Sequence, residues 1–274
     1  MSQVRARFSY ARVFLYLILS VVSFLCVFPF IWMVLGMTLN PNEVVKGTLI
    51  PGDQFLVNWG KATGPYNLLL FGFNSLFIAV VTVVLGVTVN AMAAYGFDKF
   101  HSRAREWLFG VFLLTLIMPQ IAVILPLFRL ISAFGILDTY WAIILPFTMS
   151  AFVIFFLRQN FQMFPKEIVE AARVDGAGEL RIFTQIALPS MKAGIASAAI
   201  LMFITQWNSY LWPLITILSD KTKTLPLAMF SMVNAYTVEY GGLMVIITVS
   251  LLPVLIVFLA MQKHFVAGLV GSIK

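Results

Sequence analysis

Long apolar runs alternate with short stretches of charge, glycine and proline along the 274 residues of this chain. The runs fall at about 13–37, 75–97, 107–128, 140–157, 195–218 and 243–261, and none carries an acidic or basic side chain in its interior. Each is near the 20 or so residues that cross a bilayer as a helix. With no water at that depth to satisfy backbone groups, and no alternation of polar and apolar residues as in a barrel strand, helices are the form predicted. The pattern therefore predicts an all-α, polytopic membrane protein with about six transmembrane helices. Pro119, Pro126, Pro146, Pro213 and Pro253 lie within runs and predict kinks. The first run follows Arg5, Arg7 and Arg12, as in a signal peptide, but it is too long: at 1.5 Å per residue it reaches roughly 37 Å. It also lacks a small-x-small cleavage site, so an uncleaved first helix is expected.

Composition agrees: 61% of residues are hydrophobic, 11% are charged and the mean hydropathy is +0.97. The net charge of +7 is spread along the flanks of the runs, with no dense patch interleaved with aromatics, so a nucleic-acid partner is not expected. Counted connection by connection, the charges orient the chain. Arg5, Arg7 and Arg12, then Lys99, Arg103 and Arg105, then Arg158, Lys166, Arg173, Arg181 and Lys192, then Lys263 and Lys274 make the richer set. By the positive-inside rule that set is cytoplasmic, with both termini. The other side holds residues 39–74, a short stretch near 135–139, and 219–242. The first of these, rich in glycine and proline, reads as turn-rich and irregular. The third, with Asn234 and Glu239 about the apolar pair Met229 and Phe230, reads as lying on the membrane or against a partner.

Several chemistries are excluded by what is missing. Cys26 is the only cysteine and lies in the first run, so neither an intrachain disulfide nor a Cys/His metal site is expected. His101 and His264 sit at run ends, where a solvated histidine is the simple account. No nucleophile and base pair appears at membrane depth, so the chain does not read as an enzyme and has no catalytic residues. Gly60-Lys61 lacks the earlier glycine and following Ser/Thr of a phosphate loop, so any ATP and Mg would be used by partner subunits. An ion-gradient-driven secondary transporter or channel stands as the alternative, although the charged relays such proteins place within spans are lacking.

The connection at 159–190 is the polar island of the chain. Pro165 suits a helix start and Glu167 complements the positive end of the helix dipole. Ile168, Ala171, Ala172 and Asp175 then share a side, Gly176 is placed to stop the helix in the left-handed conformation, and Gly178 loosens the turn before the pattern resumes at 180–188. A face of alanines suits either insertion into a partner's groove or packing of a hairpin on its own membrane domain. Within the spans, Asn90, Gln120, Thr148, Ser150, Gln206, Asn208 and Ser209 read as helix glue or pathway lining. Asn208, beside Trp207 and Tyr210, is the best candidate for hydrogen bonding and stacking against a sugar.

Glu170, Ala171, Ala172, Asp175, Gly176 and Ala177, followed by Ile186, Leu188 and Pro189, resemble at the right spacing the EAA loop of ABC importer permeases. The resemblance extends over nearly the whole chain through Asn74-Ser75, Ala93-Ala94-Tyr95, Leu137-Asp138-Thr139-Tyr140-Trp141-Ala142, Trp207-Asn208 and the ending from Gln262. It points to the carbohydrate-uptake (MalG-like) branch. What it implies is a type I permease fold with a cytoplasmic EAA coupling helix, in which Glu170 and Asp175 make polar contacts and Ala171, Ala172 and Gly176 allow close packing on an ATPase. It implies a permease domain at 13–262 between a cytoplasmic arm at 1–12 and a tail at 263–274. The implied partners are a second (MalF-like) permease, two ATP-binding subunits, an extracytoplasmic solute-binding protein and membrane lipid of a bacterial or archaeal plasma membrane. Two departures from the family pattern are Ala193, where many relatives have proline, which predicts a helix less kinked at its start, and Glu239-Tyr240, where tryptophan is frequent.

Overall fold

The computed structural model of the chain describes residues 10–100, 102–233 and 238–270. Arg5, Arg7, His101, Asn234, Lys274 and the side chains of Lys263 and His264 lie outside the described residues. Helices are the regular elements among those described, and the chain divides into two compact units, residues 1–68 with 231–250 and residues 69–230 with 251–274.

In the first unit, α1 (Tyr10–Gly36) is a 27-residue helix with its apolar window exposed along its length. Beyond it, α2 (Pro41–Val45) starts in a capping box: Asn40 accepts from the Glu43 amide at 3.0 Å and Glu43 accepts from the Asn40 amide at 3.1 Å. α3 (Phe55–Thr63) buries Asn58, which donates to the carbonyls of Met37 and Leu39 at 2.9 and 2.8 Å. The connection expected to be irregular therefore holds two helices, because these side chains satisfy the first amides of α2 and the carbonyls of the turn that follows α1. Lys61 pairs with Glu239 at 2.7 Å, giving the departure at Glu239 a local use.

The second unit is built on α4 (Leu68–Lys99), 32 residues that begin a turn or more before the expected start at 75. Asn74 and Ser75 do not open this helix. They lie within it and serve a distant segment: Asn74 donates to the Lys221 and Lys223 carbonyls, both at 2.9 Å, and Ser75 accepts from the Leu225 amide at 2.7 Å. α5 (Arg103–Leu114) and a 3₁₀ turn at Thr115–Ile117 lead into α6 (Gln120–Ala133) through a turn of 109°. The single span expected at 107–128 is thus broken. Proline forces the residue before it out of the helical region, and Met118 adopts φ −71° and ψ 125° ahead of Pro119.

A gentler bend of 42° separates α7 (Tyr140–Ile144), with its 3₁₀ extension Leu145–Phe147, from α8 (Ala151–Gln162). The buried side chain of Asn90 fills that gap, donating to the Thr148 carbonyl at 2.9 Å and accepting from the Ser150 amide at 2.9 Å. A polar network of this kind between membrane helices contributes about 1–2 kcal/mol and re-satisfies the backbone that the break frees.

Next come α9 (Lys166–Val174), α10 (Glu179–Ile182), a π-helical turn Phe183–Ala187, α11 (Leu188–Ser190) and α12 (Lys192–Trp207). The chain turns by 83° at Met191, so a sharp break arises here without a proline at 193. α12 stops at Trp207, well short of 218, and the short α13 (Leu211–Thr216) and α14 (Leu225–Val233) follow before α15 (Tyr240–Val270).

Three helices are long and apolar enough to cross a membrane, and six spans result if each bent pair counts as one. Because lipid tails are as apolar as leucine, these helices are held by close packing and hydrogen bonds rather than by exclusion from water. Gly194 of α12 illustrates this, since a Cβ there would come within 2.8 Å of Asn160 on α8. One buried cluster joins Ala91, Ala94 and Tyr95 of α4 with Ile154, Leu157 and Phe161 of α8 and with Val169, Ala172, Ile182, Phe183 and Ala187. It is the base on which the polar island stands.

Candidate functional site

α9 is short and strongly two-faced. Val169 and Ala172 are buried in the cluster below, whereas Ile168, Glu170, Ala171 and Asp175 are exposed. Ala172 therefore does not share the free face with Ala171. One residue further along a helix is about 100° of rotation, which carries its methyl inward. The C-terminus closes as expected: Gly176 adopts φ +80°, its amide donates to Arg173 at 3.0 Å, and the Ala177 amide reaches back to Ala172 at 3.0 Å. This is a Schellman closure, with Ala177 packed on the same cluster as Ala172. Pro165 is the residue just before the helix rather than its first, at φ −55° and ψ 125°.

A polar clasp beside this turn was not foreseen. Arg173 donates through Nε to Glu179 Oε1 at 2.7 Å, and the Tyr95 hydroxyl donates to Glu179 Oε2 at 3.0 Å. The hydrogen bond from Arg173 draws the Glu179 carboxyl below its ordinary range against the opposing effect of burial, and the phenol adds to the lowering. Reciprocally, Glu179 raises the Arg173 guanidinium. The pair thus stays ionised throughout the physiological range. The opposite charges of Arg173 and Glu179, six residues apart across a glycine turn, were the available signal; that Tyr95 joins them required the fold.

Nearby, Lys99 donates to the Phe161 carbonyl at 3.2 Å, and the buried Arg158 pairs with Glu106 while its guanidinium lies 4.1 Å from the Phe109 ring centre. These contacts fasten the ends of α4, α5 and α8 to one another.

The polar residues of the later spans come together elsewhere. A cavity of about 320 Å³ is lined by Asn208, Tyr210, Gln206, Ser209, Gln120 and Trp212, among others. A second, of about 330 Å³, shares Phe147, Thr205 and Gln206 with it and adds Thr82 and Ser150. Asn208 ends α12, with its amide donating to Ile204 at 2.9 Å, and Tyr210 packs on Phe230 at 4.6 Å between ring centres. Trp207 is not part of this lining. It is 5% exposed and stacked on Phe203 at 5.7 Å, one turn back on the same helix, so it serves packing instead. Trp212, by contrast, borders the cavity and donates to the Ala142 carbonyl at 2.8 Å. Among the described residues no cluster of His, Cys, Asp and Glu could hold a metal ion.

The model of the family described as binding-protein-dependent transport system inner membrane component matches residues 83–270, which include the whole polar island and both cavities' α12 lining. The chain belongs to this family. Its relatives include the lactose transport system permease protein LacG of Rhizobium radiobacter, 42% identical over 259 residues, covering 94% of this chain and 95% of its own. The arabinooligosaccharides transport system permease protein AraQ of Bacillus subtilis (strain 168) is 32% identical, with 98% of each chain covered. The sn-glycerol-3-phosphate transport system permease protein UgpE of Yersinia enterocolitica is 33% identical over 96% of this chain and 97% of its own. A crystal structure of a bacterial ABC transporter involved in the import of the acidic polysaccharide alginate superposes with a TM-score of 0.84 at 23% identity, covering 95% of this chain and 100% of the other. That likeness establishes the fold.

This permease is a membrane-embedded transport component rather than an enzyme, and the ion-gradient alternative falls away with the family. Membership implies in general a partner permease, an ATPase and a solute-binding protein.

Proposed function

We propose that this permease and a second, non-identical (MalF-like) permease form the membrane path for a sugar or related solute, and that α9 docks on one of two cytoplasmic ATP-binding subunits. The observation that carries the reading is an exposed helix, closed by a left-handed Gly176 and seated on a buried base, in the polar connection at 159–190. Glu170, Ala171 and Asp175 lie on its free side, with Gly176 and Ala177 completing the turn; Ala172 supports it from beneath. The distribution of lysine and arginine supports a cytoplasmic placement of this segment and of both termini. ATP and Mg belong to the partner subunits, and an extracytoplasmic binding protein delivers the solute from the other side.

The cargo is inferred from two independent features. Relatives named for lactose, arabinooligosaccharides and glycerol phosphate share a polyhydroxylated skeleton. The cavity bordered by Asn208, Tyr210, Gln206 and Gln120 offers amide and hydroxyl groups beside aromatic rings, which suits such a solute. Asn208 and Tyr210 remain the pathway candidates, with Gln206 and Gln120 added and Trp207 placed behind them.

The test is reconstitution of the complete complex in vesicles with its binding protein, measuring ATP hydrolysis with lactose, sn-glycerol 3-phosphate or an amino acid mixture supplied. Stimulation of several-fold by one of the first two supports the reading. Stimulation confined to amino acids contradicts the sugar assignment.

A further inference from the structure

The connection between α9 and the rest of the permease carries one inference beyond docking itself, and it rests on the docking reading above. Among the described residues, one side-chain hydrogen bond joins α4 to the segment 166–190: the Tyr95 hydroxyl on Glu179. The other oxygen of the same carboxylate holds Arg173, in the last turn of α9. A single carboxylate thus bridges the docking helix to a transmembrane helix. The packed cluster beneath also joins the two, and to that packing the charge-assisted hydrogen bond adds a fixed distance and direction.

From Tyr95, α4 leads to the pathway. Five residues back, Asn90 plugs the break between α7 and α8, holding Thr148 on one side and Ser150 on the other. Further along the same helix, roughly 20 Å from Tyr95 by helical rise, Thr82 borders the cavity that Ser150 and Phe147 also line. Lys99 and Arg158 do not substitute for this link, because they tie α4 and α5 to α8 rather than to the docking segment.

We propose that Tyr95 is a positioning residue for coupling: through its hydrogen bond to Glu179, displacement of α9 is passed to α4 and so to the Asn90 plug at the α7–α8 break. Removing the hydroxyl leaves the ring packed on Phe161 and Phe183, whose centres lie 5.5 and 5.2 Å away, so the fold survives the substitution.

Spatial adjacency alone does not establish coupling, so the test reads it directly. In a Cys26→Ser background, which removes this chain's only native thiol, Thr205→Cys places a reporter on the shared border of both cavities, read as label on this chain. Its labelling by a small methanethiosulfonate is timed in the reconstituted complex with and without ATP and vanadate, in preparations matched for copurified ATPase. With Tyr95 present, ATP and vanadate change the labelling rate by about fivefold or more, and Tyr95→Phe shrinks that change to about twofold or less. Glu179→Ala does the same, and Tyr95→Phe with Glu179→Ala loses no more than either alone.

A Tyr95→Phe complex with the full change in labelling overturns the proposal, as do losses that simply add in the double variant. If labelling fails to respond to ATP even with Tyr95 in place, the docking reading falls, and the inference with it.

Discussion

Asp138 stands at φ +58°, a left-handed conformation that costs a non-glycine residue of order 1 kcal/mol unless its surroundings hold it there. Its carboxylate accepts from the Leu218 and Ser219 amides, both at 3.0 Å, and from the Thr222 hydroxyl at 2.8 Å, while its own amide donates to Thr216 at 2.9 Å. Burial alone would raise this carboxyl, but the hydrogen bonds from Leu218, Ser219 and Thr222 outweigh it and lower it from 3.8 to about 2. A depressed carboxyl stabilises the fold above its unfolded value and loses that contribution as pH falls through the folded one. Asp138→Ala should therefore lower the thermal midpoint of the purified protein through the loss of three solvent-accessible hydrogen bonds, together about 1 kcal/mol. The deficit should be constant between about pH 5 and pH 8 and shrink as the pH drops from about 4 towards 2. A deficit that grows on acidification would contradict this account. In the sequence, Asp138 was visible only as part of a family-like string; its partners lie some 80 residues on, beyond the reach of local pattern.

At the scale of single elements, the end of α9 was the most legible feature. Glycine after the last periodic residue predicts the stop, and Gly176 supplies it with nothing within 4 Å of where a Cβ would project. Within this chain substitution there acts through the backbone, so tolerance should follow ease of reaching positive φ. Asparagine is expected to retain most ATP-driven uptake, alanine less, and Gly176→Val the least, with a backbone cost of about 1–3 kcal/mol and several-fold loss of solute imported per ATP. Equal uptake by all three variants at equal membrane levels would show that the turn is not used.

The breaks in the spans were harder to read. Pro119, Pro146 and Pro253 look alike in an apolar run, yet the chain turns by 109° at the first, bends by 42° just after the second, and runs through the third within α15. The difference lies in what re-satisfies the freed backbone, such as the distant Asn90 at 148–150, and local sequence does not contain that. The face of α9 was half legible. Ile168, Ala171 and Asp175 follow the expected stripe, but Ala172 turned inward because Val169, three residues before it, set the buried side.

For the molecule as a whole, hydropathy carried furthest. Five of the apolar runs became three long helices and two bent pairs, the run at 195–218 became α12 and the short α13, and the polar island stands as an exposed helix on a buried base. The cavities could not be anticipated in the same way, because Gln120, Ser150 and Gln206 meet only through the breaks that separate their helices. The central claim is that the free side of α9 is the cytoplasmic contact with the ATPase. A photoactivatable benzophenone side chain placed at Ala171 in the intact complex tests it most directly, with a second placed at Ile50, which is 75% exposed in a connection assigned to the opposite side of the membrane. Illumination should link Ala171 to an ATP-binding subunit and Ile50 to none. An ATPase adduct from Ile50, or none from Ala171, would contradict the account.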